Sequence, residues 1–74
     1  MKRYANLSGN SGVTSYETGT DWIDVKFRNG DVYRYTHAKP GEWHVRMMKR
    51  LAISGRGLST YISRNVQSAY ASKR

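Results

Sequence analysis

Five cations stand out in the second half of this chain, and their types and spacing suit phosphate binding better than bond-breaking chemistry. Arg46, Lys49 and Arg50 recur at helical spacing, opposite the apolar residues of the same stretch. Arg56 sits between Gly55 and Gly57, and Arg64 falls in the next apolar-periodic stretch. Guanidinium groups offer fork-shaped donors that match phosphate oxygens. Glycines such as Gly57 let backbone N–H groups approach an anion where a helix begins, and Ser59 and Thr60 follow in that first turn. The same glycines also suit a plain sharp turn, because Gly is the usual helix-stop residue. Both readings of the loop stand at this level. For any one cation a solvated helix face is a sufficient explanation. Yet no acid interleaves among them after Glu42, whereas ordinary surfaces mix signs.

Catalytic chemistry finds little support. The chain has no cysteine, and its histidines, His37 and His44, lie seven residues apart without a ligand-set spacing. His44 falls within the apolar arc, where a hydrogen-bonded boundary histidine is expected. His37 reads as a turn residue. The expectation is a non-enzymatic protein that needs no cofactor and no metal.

The elements that must position these cations begin with the hairpin Trp22–Thr36, two β-rich runs around Asn29-Gly30. A two-residue loop would pair Arg28 with Asp31 and mix apolar and charged residues on each face. A three-residue loop with Gly30 as a left-handed bulge pairs Phe27 with Asp31, Val25 with Tyr33 and Ile23 with Tyr35. That register gathers Ile23, Val25, Phe27, Tyr33 and Tyr35 on one face and is the one expected, because a one-residue slip would expose them all. Asp24, Lys26, Val32 and Arg34 then share the other face. Val13 to Glu17 reads as a first strand, although Val13 and Tyr16 are out of phase.

From about Gly41 to Ser54 the spacing is helical, with Pro40 suited to the first turn and Glu42 complementing the dipole. Trp43, Val45, Met47, Met48, Leu51 and Ala52 cover one wide arc, with Trp43 as the expected main core anchor. A second helix runs to about Tyr70, its stripe made by Leu58, Ile62, Val66, Ala69 and Tyr70. Trp22 and Tyr61 are the aromatics expected at the surface.

At 74 residues the chain is expected to form one small domain. It has neither a signal-peptide-like start nor an apolar run of spanning length, so no membrane contact and a cytoplasmic location are expected. The formal charge is +8 and uneven. Residues 1–36 hold five Lys/Arg against four acids; residues 37–74 hold eight against Glu42 alone. Such asymmetry points to a polyanion.

The pattern Ile23-x-Val25-x-Phe27-x-x-Gly30-x-x-Tyr33-x-Tyr35, then a helix, then Ser54-Gly55-Arg56-Gly57-Leu58-Ser59-x-Tyr61-Ile62, resembles the KTSC domain over roughly residues 13–70. This family is named for the C-terminal extension of some lysyl-tRNA synthetases and also occurs as short bacterial and phage proteins. Ser59 stands where members often have Asn, and Ala38-Lys39-Pro40-Gly41 where they have a Val-Pro-like start to the first helix. The resemblance implies a small α+β module working near nucleic acid and supplies no catalytic residue. The Gly55-Arg56-Gly57 loop is also similar to helix–hairpin–helix DNA-binding loops, with Arg56 in place of their apolar middle residue and a shorter spacing to Ile62.

The expected architecture is therefore α+β, a three-stranded antiparallel meander packed on one face by two helices. Residues 1–12 read as a flexible arm whose Tyr4 and Leu7 could still dock on the body, 13–70 as the domain and 71–74 as a frayed basic tail. Its core is Ile23, Val25, Phe27, Tyr33, Tyr35, Trp43, Met47, Met48, Leu51, Leu58, Ile62 and Val66. The expected function is nucleic-acid binding, RNA or DNA, through Arg46, Lys49, Arg50, Arg56, Gly57 and Arg64. The rival is a protein-interaction module, of the kind a phage could encode, docking through Trp22, Val32 and Arg34.

Overall fold

The turn at Asn29-Gly30 sets the register of everything around it. In the computed structural model, which describes residues 1–9 and 11–74, Gly30 has φ +93° and its N–H donates to Phe27 O at 2.9 Å. The Phe27 N–H donates to Asp31 O at 2.9 Å, closing the three-residue bulged loop. Val25 then pairs with Tyr33 and Ile23 with Tyr35, as the burial argument requires.

The sheet is an antiparallel meander of five strands rather than three: β1 (Lys2–Arg3), β2 (Val13–Thr18), β3 (Trp22–Phe27), β4 (Val32–Thr36) and β5 (Ser72–Lys73), in that order. The two additions are two-residue edge strands recruited from the expected arm and tail. Asn10, part of that arm, lies outside the described residues. Tyr4 is buried in the core and its N–H donates to Thr14 O at 3.0 Å, so the N-terminal segment is anchored there while most of its other side chains are exposed. The phase problem in β2 is solved by a bulge. Val13 pairs with Phe27 but Ser15 pairs with Lys26, so one extra residue lets Val13 and Tyr16 both face inward.

Two helical segments cover one sheet face. Helix α1 (Glu42–Ser54) starts one residue after Gly41, leaving Pro40 in the preceding turn instead of the helix. Helix α2 (Leu58–Tyr61) passes directly into a π-helical turn (Ile62–Val66), which ends before Tyr70. Tyr4, Val13, Tyr16, Ile23, Val25 and Tyr35 from the sheet side meet Val45, Met48, Ala52, Leu58, Ile62 and Val66 from the helical side. No helix among the described residues is long and apolar enough to cross a membrane.

Trp43 is not a core anchor. It is 69% exposed, while Met47 and Leu51 are half-buried at the margins of the helix. At 100° per residue the apolar arc spans about 200°, more than one sheet face can cover. The helix seats the Val45, Met48 and Ala52 edge against the sheet, and Trp43 is left on the far border. Phe27 and Tyr33 are half-buried at the rim, where Tyr33 packs edge-on between Phe27 and Tyr70 at centroid distances of 5.2 and 4.8 Å.

Candidate nucleic-acid interface

The rotation of α1 decides where its cations go. With Val45, Met48 and Ala52 turned inward, Arg46 and Arg50 project to solvent beside Trp43. Arg46 is 70% exposed and meets Glu42 at 3.6 Å, an exposed ion pair one turn away that holds it weakly. Lys49 is different. It lies nearer the sheet, and its ammonium donates to Gly19 O at 2.6 Å and Thr20 O at 3.2 Å, clasping the β2–β3 turn. In that turn a side chain on Gly19 would collide with the Trp22 indole. Lys49 is thus occupied in holding the fold, a role its spacing among arginines does not reveal.

The Gly55-Arg56-Gly57 loop is tied to the N-terminal segment at both of its ends. Gly55 and Gly57 have φ +81° and +84°, the left-handed values that a sharp helix-to-helix turn needs. Gly55 O accepts from the Leu7 N–H at 2.7 Å, and the Leu58 N–H donates to the buried Tyr4 hydroxyl at 3.3 Å. A tyrosine oxygen therefore takes the amide that an anion-cradling loop would offer first. The Arg56 side chain and that of Arg64 on the π turn remain exposed.

The outer sheet face carries an ion cluster instead of a bare patch. Asp24, 2% exposed, receives Arg34 Nε at 2.7 Å, Arg34 Nη2 at 3.0 Å and Arg74 Nη2 at 3.1 Å. The Asp24 hydrogen bond raises the Arg34 pKa, with smaller help from the charges of Asp24, Glu17 and Asp21. Arg34 also lies 4.2 Å over the Trp22 ring. Lys73 reaches Asp31 at 3.4 Å, so Asp24 and Asp31 both receive a cation from the last two residues.

The histidines sit as a structural reading expects. His44 Nδ1 is 2.7 Å from the Tyr61 hydroxyl, whose pKa burial pushes up, and the pair ties α1 to α2. His37 lies in the turn after β4. Among the described residues no cluster of three His, Asp or Glu side chains is placed to hold a metal ion.

An open pocket of about 280 Å³ lies between the β3–β4 turn and the π helix, lined by Phe27, Tyr33, Tyr35, Ser59 and Ser63 among others. The Tyr35 hydroxyl beside it is buried with no hydrogen-bond partner among the described residues. Burial raises its pKa well above the ordinary 10.0. An unpaired buried hydroxyl costs stability, so Tyr35→Phe is expected to stabilise the fold by about 1 kcal/mol in urea titrations. Ionisation of this hydroxyl also ties stability to pH. The folded pKa is the higher one, so stability is full below the unfolded value of 10.0 and lost as pH rises past it. Tyr35→Phe should flatten that alkaline loss. A destabilised variant would instead show that the hydroxyl has a partner, such as a water held in the pocket.

Compared with protein-family models, with curated proteins and with solved structures, the chain finds no match.

Proposed function

We propose that this protein is a non-enzymatic nucleic-acid-binding module of the KTSC type, acting in the cytoplasm and gripping phosphates from its helical side. The observation that carries the proposal is the solvent face of α1, where Arg46 and Arg50 stand one turn apart and exposed. Arg56, just past the helix end, and Arg64, on the π turn, are also exposed and add charge. Glu42 is the one acid in residues 37–74, and its pairing with Arg46 is solvent-exposed. A phosphate can displace such a partner at little cost. The rival protein-docking face has less in its favour. Trp22 is covered by Arg34, Arg34 is held by Asp24, and β5 closes the β4 edge.

The test is the salt dependence of binding to a labelled single-stranded RNA and a duplex DNA. Arg46→Gln, Arg50→Gln, Arg56→Gln and Arg64→Gln should each flatten the log K against log salt slope by about one unit for a lost phosphate contact. Lys49→Gln is the internal contrast. It should leave the slope alone and lower thermal stability, because Lys49 spends its donors on the β2–β3 turn. Slopes unchanged in all four arginine variants would place the contacts elsewhere.

A further inference from the structure

Resting on that phosphate-binding reading, we propose that Trp43 is a base-stacking platform and that the nucleic acid bound is single-stranded. A tryptophan 69% exposed on a regular helix discards a large burial gain, and in so small a domain that is a conspicuous forfeit. The indole does not stand alone. Arg46 follows it by three residues and Arg50 by seven, both on the face turned away from the sheet. At the α-helical rise these are roughly 4.5 and 10.5 Å further along the axis. A base stacked on the indole would leave its backbone to run along α1 over both guanidinium groups. Duplex bases are already stacked on one another and present no free π-face, so such a platform selects unpaired strands.

The arrangement fits other partners less well. Ile53, the second exposed apolar residue of the helix at 75%, lies ten residues from Trp43, or roughly 15 Å along the axis. The arginines sit between the two. A helix lying in a membrane keeps its apolar face continuous and its cations at the flanks. A protein interface likewise centres on a contiguous apolar patch with a polar rim, whereas the two exposed apolar side chains here lie apart along the helix. A strand of alternating bases and phosphates matches the order of aromatic and cation directly.

The test compares fluorescence anisotropy of a labelled oligothymidylate of about twelve nucleotides with that of an abasic oligomer of equal length. Vesicles containing phosphatidylserine form a third arm. Wild-type protein should bind the oligothymidylate about tenfold more tightly than the abasic strand. Trp43→Ala should remove that preference while leaving abasic binding and melting temperature unchanged, and Trp43→Phe should keep most of it. If Trp43→Ala weakens both strands equally, or neither, stacking is wrong while the phosphate reading survives. Absence of binding to any strand overturns both. Stronger binding to the vesicles, lost in Trp43→Ala, would mark the stripe as a membrane-lying surface and overturn the proposal.

Discussion

Replacing Asp24 with asparagine is expected to cost about 2 kcal/mol and to release the C-terminal strand. The carboxylate is 2% exposed and accepts three hydrogen bonds from two guanidinium groups. Asparagine keeps the shape but loses the charge, and its amide nitrogen must face a donor. A fully buried pair would lose roughly 3–5 kcal/mol on such a change. Here the Arg34 and Arg74 side chains are 39% and 68% exposed and can turn to water, which lowers the cost. For a domain this small the loss corresponds to roughly 10 °C in Tm.

The damage should also have a place. Arg74 reaches Asp24 from the end of the chain, and the last residues are held to β4 by backbone bonds. Val32 N–H donates to Arg74 O at 2.6 Å, Arg74 N–H to Val32 O at 2.7 Å and Ala71 N–H to Arg34 O at 2.7 Å. Two-residue β5 has little else to hold it, so hydrogen exchange at Ala71 and Arg74 should accelerate well beyond the global change. Uniform acceleration across the sheet would mean that the ion cluster supports the whole domain and not the terminal strand. The nucleic-acid affinity of the folded variant should be unchanged, because the cluster lies on the sheet face opposite the helices.

What could be read from the residues alone follows from how many constraints each element carries. The β3–β4 register was legible because only one pairing collects Ile23, Val25, Phe27, Tyr33 and Tyr35, and Gly30 sits where that pairing needs a left-handed residue. The bulge in β2 left a trace too: Val13 and Tyr16, three apart, can share a face only if one residue is extra. Strands β1 and β5 left none, since two residues show no alternation and their pairing depends on open edges of a finished sheet. The same register put Asp24 opposite Arg34, but its burial required Arg74 from the far end of the chain. In the candidate site, helical spacing gave the relative positions of Arg46, Lys49 and Arg50 correctly. It could not give the rotation of the helix about its axis. An apolar arc wider than its cover can seat on either edge, and that one undetermined angle moved Trp43 from the core to the surface and Lys49 from the surface to a turn.

Gly55→Ala should be more damaging than Asp24→Asn, at about 3 kcal/mol, and Gly57→Ala shows why. Both glycines have left-handed backbones, φ +81° and +84°, which cost an alanine about 1 kcal/mol each. Their surroundings differ. A Cβ on Gly57 would meet Leu51 Cδ2 at 3.5 Å, an ordinary contact. On Gly55 it would lie 2.7 Å from Ala5 Cβ, so the N-terminal segment must move. That segment brings the Leu7 N–H to Gly55 O and the Tyr4 hydroxyl to the Leu58 N–H. Displacing it strips the start of α2 of its partner and pulls a buried tyrosine out of register. Urea titrations of the two single variants should therefore differ by about 2 kcal/mol. Adding Ala5→Gly to Gly55→Ala should return much of that difference while leaving the backbone share in place. No recovery in the double variant would locate the cost in the turn itself rather than in the strap across it. Because Gly57→Ala leaves that strap in place, its affinity for the oligothymidylate also reports whether the loop backbone touches phosphate. Unaltered binding would assign the contacts of this loop to the Arg56 side chain alone.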